Sequence, residues 1–127
     1  MSNTGKISAA ESQVMEALWR EGALTPDELV EAVGPANGWA RNTVRVMITR
    51  LLKKGAVSSA KEDGRFLYRP VLARSDYLLA ESRGLLDRLF EGRLAPLVAN
   101  LAEHRQLSPE DVATLKALIA EIDDDRR

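Results

Sequence analysis

The chain has 127 residues, 45% of them hydrophobic and 29% charged, with a net charge of −1, which is the make-up of one globular domain or two small ones. It holds no cysteine, which excludes a disulfide framework, a thiolate metal site and a cysteine nucleophile. No apolar run approaches the ~20 residues of a membrane helix, and the opening MSNTGKIS lacks the apolar core of a signal peptide, so a cytoplasmic protein with no membrane partner is expected.

The elements follow in chain order. Ser8-Ala-Ala-Glu11 is a capping box that opens a first helix at Ala9. Val14, Met15, Leu18 and Trp19 give this helix its apolar stripe, and Gly22 ends it. Thr25-Pro-Asp-Glu28 opens a second helix at Pro26, with proline where its missing N–H is harmless. That helix is expected to reach about Val33, before Gly34-Pro-Ala-Asn-Gly38 breaks the chain. A third runs through Trp39-Ala-Arg-Asn-Thr-Val-Arg-Val-Met-Ile-Thr-Arg-Leu-Leu-Lys-Lys-Gly55, with Val44, Met47, Ile48 and Leu51 at the spacing of a buried face. Trp39 and Val44 stand where a hydrophobic staple would place them if Ala40 is the cap.

After Gly55 the apolar period changes from helical to alternating. Ala56 to Pro70 reads as two strands around the turn Asp63-Gly64, with Phe66 and Tyr68 to one side and Leu67 to the other. From about Ser75 the chain is helical again, and Ser108-Pro-Glu-Asp111 opens a last helix. The closing Asp-Asp-Asp-Arg-Arg reads as a solvated tail.

Charge is distributed unevenly along this plan. Residues 1–38 hold two basic and six acidic side chains, and residues 70–127 hold eight and eleven. Residues 39–69 hold eight basic side chains and only two acids, a local charge of +6. Such a block is the electrostatic footprint of a polyanion-binding surface.

Three helices followed by a two-stranded hairpin is the order of a winged helix-turn-helix, whose third helix enters the DNA major groove. The fold class expected is therefore mainly α with a small β wing, followed by a helical dimerisation domain. The DNA-binding domain is placed at 1–72 and the dimerisation domain at 73–127. With Val44, Ile48 and Leu51 buried, the opposite face of the third helix carries Asn42, Val46, Thr49 and Lys53. Asn42, Thr43, Arg45 and Val46, near the helix start, are assigned to base edges, Val46 as a partner for a thymine methyl. Arg41, Thr49, Arg50, Lys53, Lys54, Lys61 and Arg65 are assigned to phosphates.

The segment from 71 to 127 has only 57 residues and is dense in leucine. Below ~70 residues a lone core rarely suffices, so pairing with a second copy is expected through Leu78, Leu85, Leu89, Leu97, Leu101, Leu115, Leu118, Ile119 and Ile122.

The stretch from Trp39 to Val57 resembles the recognition-helix signature of the penicillinase and methicillin-resistance repressors, the BlaI/MecI family, to which the copper repressor CopY is related. Trp39, Thr43, Val44, Arg45, Ile48, Thr49, Arg50, Leu51, Lys53, Lys54 and Gly55 match that pattern. The opening from Ile7 to Trp19 and the segment from Pro96 to Ile119 resemble the family's first and dimerisation helices. Ala40, Asn42 and Val46 depart from the pattern, in which Ser, Lys and Thr are usual, and this puts the operator sequence in question. The resemblance implies a homodimer that represses transcription at an inverted repeat in double-stranded DNA. It also implies a switch in which a sensor protease cuts the dimerisation region after an Asn and before a Phe; Asn100-Leu101 stands at that position. The copper branch's cysteine motif has no counterpart here.

Other readings have less in the residues to carry them. His104 is the only histidine, and nothing at metal-ligand or triad spacing accompanies it. Asp123 to Asp125 read as solvated tail, and no phosphate-binding glycine loop is present. Neither an enzyme nor a cofactor is expected. Two alternatives share the fold: a winged-helix regulator that senses a small ligand between its C-terminal helices, and a winged-helix module for protein–protein assembly.

Overall fold

The computed structural model describes residues 6–126. Residues 1–5, in the segment read as lacking a leader, lie outside the described residues, as does Arg127 of the charged tail. In chain order the elements are α1 (Ala9–Glu21), α2 (Pro26–Asn37), α3 (Arg41–Lys54), β1 (Val57–Glu62), β2 (Arg65–Pro70), α4 (Arg74–Leu89), α5 (Leu94–Glu103) and α6 (Pro109–Asp125). The chain divides into two compact units, one up to Leu79 and one from Ala80. Among the described residues no helix is long and apolar enough to cross a membrane.

The helix starts follow the side-chain chemistry of their caps. Ser8 Oγ accepts the Glu11 N–H at 3.0 Å, and Glu11 Oε1 accepts the Ser8 N–H at 2.9 Å. Thr25 and Glu28 make the same reciprocal pair at 3.2 and 2.8 Å. Ser108 accepts the Asp111 N–H at 3.0 Å. Each arrangement satisfies donors that the first helical turn leaves unpaired.

One boundary differs from the sequence reading. α2 does not stop near Val33 but continues through Pro35 to Asn37. Pro35 is exposed and falls in the last turn, and the Glu31 carbonyl that it leaves without an i+4 donor belongs to an exposed residue that water can reach. The actual stop is Gly38, left-handed at φ 69°, which lets the Trp39 N–H reach Gly34 O at 2.8 Å. Gly34 has its own reason to be glycine. A Cβ there would lie 3.1 Å from Trp39 O.

The wing is a regular hairpin. β1 and β2 pair antiparallel from Val57–Pro70 to Glu62–Arg65, and Asp63 and Gly64 both take positive φ, 52° and 78°, as a type I′ turn requires. A further segment, unread in the sequence, joins the other edge of β2. Leu24 N–H donates to Tyr68 O at 3.1 Å and Tyr68 N–H to Leu24 O at 2.8 Å.

The core of the first unit is assembled from Val14, Met15, Ala17 and Leu18 of α1, Leu29 and Val33 of α2, and Val44, Met47, Ile48 and Leu51 of α3, closed by Ile7, Leu24, Ala56 and Val57. Trp19 extends this unit into α4. Its Nε1–H donates to Leu72 O at 2.8 Å, and its ring lies 5.5 Å from that of Tyr77.

The second unit has a different character. None of the residues of α4, α5 or α6 is buried. Leu97, Leu101 and Leu115 are half-buried, while Leu85, Leu89, Leu94, Val112, Leu118, Ile119 and Ile122 are exposed. Asn100 and Leu101 lie inside α5.

Lys54 makes an internal contact that the sequence reading did not include. Expected on phosphate, its ammonium turns into the first unit, donating to Glu11 Oε1 at 2.5 Å and to Lys6 O at 2.7 Å. Glu11 is 2% exposed. Its place on the α1 stripe, three and four residues before Val14 and Met15, puts a carboxylate among apolar side chains. Burial pushes the Glu11 carboxyl up, but the Lys54 hydrogen bond, the Ser8 bonds and the Lys54 charge outweigh it and hold the group below its ordinary 4.5.

The pair sets two expectations for stability. Lys54→Met should cost about 1–3 kcal/mol in urea unfolding at neutral pH, since it strands a buried carboxylate. The double variant Glu11→Gln/Lys54→Met should cost less than Lys54→Met alone; a single variant as stable as the parent would contradict the pairing. Because the folded pKa of Glu11 is lowered, its contribution is complete above 4.5 and lost as pH falls through the lower folded value. Glu11→Gln should flatten that acid limb.

Candidate nucleic-acid interface

α3 is held by its apolar side, so its polar side faces outward. Asn42, Thr43, Arg45, Val46, Thr49, Arg50 and Lys53 are all exposed. Asn42, Arg45, Val46, Thr49, Arg50 and Lys53 line one open depression along the helix. Asn42, Thr43, Val46 and Arg50 share a second with Met47. Val46 is 43% exposed, an unusual solvent position for a valine flanked by basic side chains. The Thr49 hydroxyl donates to Arg45 O at 3.0 Å, which leaves its lone pairs available to accept.

The wing adds Lys61 and Arg65, both exposed beside the turn. Neither lines the depressions on α3. Arg69 is engaged across the hairpin, its Nη2 lying 3.0 Å from both carboxylate oxygens of Glu62.

The ion pairs divide the cations. Lys54 belongs to Glu11, Arg69 to Glu62, and Arg41 Nη1 donates to Asp27 Oδ1 at 2.6 Å. Among the described residues Arg45, Arg50, Lys53, Lys61 and Arg65 make no ion pair. The start of α3 adds to the positive field. Ala40 supplies no side-chain cap and the first turn holds no acid, so no side chain of α3 itself offsets the positive end of its dipole.

Asp27 was not singled out in the sequence. It lies fourteen residues from Arg41, and no local spacing links them. Its carboxyl is held below the ordinary range chiefly by the Arg41 hydrogen bond and charge, with a smaller effect of the Arg45 charge. Glu28, beside it, is also held low, mainly by its bonds with Thr25 and further by the charge of Arg65.

This geometry can accept a polyanion along α3 and the wing, and comparison with known proteins points the same way. The family model described as penicillinase repressor matches residues 7–121. The chain belongs to that family. It is 33% identical to the penicillinase repressor of Bacillus licheniformis over 121 residues, 95% of this chain and 94% of that one. It is 28% identical to the methicillin resistance regulatory protein MecI of Mammaliicoccus sciuri, over 93% and 96% of the two chains. The solution structure of monomeric Bacillus licheniformis BlaI in complex with the blaP half-operator superposes with a TM-score of 0.55 and 34% identity, covering 61% of this chain and 94% of that one. The family is one of repressors, not enzymes.

Exposure of these side chains sets an expectation for the penicillinase-repressor fold of this chain. Arg45→Ala and Arg50→Ala should each leave stability within about 0.5 kcal/mol, because surface substitutions without structural partners seldom do more. Thermal unfolding measures it, and a clear loss would assign these arginines to the fold instead of the surface.

Proposed function

We propose that the protein is a dimeric transcriptional repressor that binds a palindromic operator through α3 and the wing. The observation that carries this reading is the division of α3 into a fully apolar buried face and an acid-free outer face bearing Arg45, Arg50 and Lys53. Asn42, Thr43, Arg45 and Val46, on the first turns, take the base edges. Arg50, Lys53, Lys61 and Arg65, with Thr49, take phosphates, and Arg41 joins them when released from Asp27. BlaI bound to a half-operator supports the DNA reading through 34% identity over the corresponding domain.

The dimer rests on the C-terminal helices, the domain assigned to 73–127. Leu118, Ile119 and Ile122 of α6 are 48%, 57% and 52% exposed, and Leu78, Leu85 and Leu89 of α4 are exposed beside their half-buried neighbours. Burying such side chains gains about 1.5–3 kcal/mol each, and a second copy offers the same surface by two-fold symmetry. The symmetry of the dimer then matches that of an inverted repeat. Cleavage between Asn100 and Leu101 by a sensor protease would divide this surface within α5 and release the operator; it would require local opening of the helix first.

Binding should weaken steeply with salt. Arg50, Lys53, Lys61 and Arg65 on phosphates, with Arg41 as a fifth once released, correspond to a slope of log K against log salt of about −3.6 to −4.5 for each bound chain, and a flat response would remove the basic surface from the account. On a selected operator, Arg45→Ala should cost about 1–3 kcal/mol and relax base preference, whereas Lys53→Ala should weaken all duplexes alike. An equal loss for Arg45→Ala on every sequence would move Arg45 to the phosphates. Sedimentation at micromolar concentration should give a dimer; a stably folded monomer would contradict the proposed pairing.

A further inference from the structure

The first turn of α2 carries two acids with separate tasks. Glu28 closes the capping box with Thr25. The Asp27 carboxylate makes no hydrogen bond within its own helix, and its polar partner is Arg41, the first residue of α3. Both side chains are largely exposed, 79% for Asp27 and 56% for Arg41. A carboxylate is thus held against the end of the surface that would receive phosphate, in a position the helix cap does not need.

We propose that Asp27 restrains DNA binding by serving as an internal counter-ion for Arg41, one that a DNA phosphate must displace before this arginine can join the interface. The inference rests on the DNA-binding reading. A guanidinium can serve a carboxylate and a phosphate at once only by bringing two anions near each other, and removal of Asp27 abolishes that conflict. The contact is through a single guanidinium nitrogen, so exchange does not require a two-pronged pair to break. The restraint acts through the backbone of the nucleic acid and is therefore independent of base sequence. It lowers attraction to DNA at large and leaves base reading to Asn42, Thr43, Arg45 and Val46.

The test is fluorescence anisotropy of the full chain on a labelled mixed-sequence duplex across a salt series. Asp27→Asn should bind up to about five-fold more tightly at moderate salt, the range spanned by exposed ion pairs, with a salt slope steeper by up to about 0.9. In an Arg41→Gln background most of that gain should vanish. Thermal unfolding of each variant separates a folding defect from a binding effect. Unchanged or weaker binding by folded Asp27→Asn would overturn the proposal, because Asp27 would then be idle or would orient Arg41 productively. A gain that persists in full without Arg41 would also overturn it, since the carboxylate would then act on DNA directly. A wild-type chain that fails to bind the duplex would sink the DNA reading itself, whereas wild-type binding without the Asp27 effect would sink this inference alone.

Discussion

Four side chains on one face of α3, Val44, Met47, Ile48 and Leu51, determine where every charge on that helix points. All four are buried against the other elements of the first unit. Each contributes about 1.5–3 kcal/mol by burial, whereas like charges one turn apart cost about 0.2–0.5 kcal/mol per pair. The repulsion between Arg41 and Arg45, or between Arg50 and its lysine neighbours, is therefore tolerated. The helix keeps its place by its apolar side and holds Arg45, Arg50 and Lys53 outward without a compensating acid of its own.

The remaining ion pairs sort those cations by task. Lys54 leaves the outer face and secures the end of α3 to the start of α1 through Glu11. Arg69 is tied across the wing to Glu62. Arg41 is occupied by Asp27. What faces outward without an ion-pair partner is a short run along α3, continued by Lys61 and Arg65 on the hairpin. A surface of so few charges gives one chain only modest hold on DNA, and doubling it by two-fold symmetry is the economical way to a specific complex.

Much of this was legible from local rules. The limits of α1 and α3, the caps at Ser8, Thr25 and Ser108, and the Asp63-Gly64 turn follow from side-chain chemistry within a few residues. α2 was read too short because Pro35 and Gly34 look like breakers, yet the stop belongs to Gly38, where a left-handed residue turns the chain back. The pairing of Leu24 with Tyr68, the contact of Arg41 with Asp27 and that of Lys54 with Glu11 escaped, since each joins residues far apart in sequence. A trace of the last was present: Glu11 falls on the apolar stripe of α1, and an acid there needs a partner. The proposed dimer surface rests on surplus leucine in the sequence, and in the single chain α4 to α6 leave large apolar side chains such as Leu118, Ile119 and Ile122 exposed.

Selection of bound duplexes from a random DNA pool tests the central claim most directly. The account predicts enrichment of an inverted repeat whose half-site preference shifts when Arg45 is replaced and stays unchanged when Lys53 is replaced. Enrichment of no sequence, or of a single half-site without its symmetric mate, would contradict a dimeric repressor that reads DNA through α3.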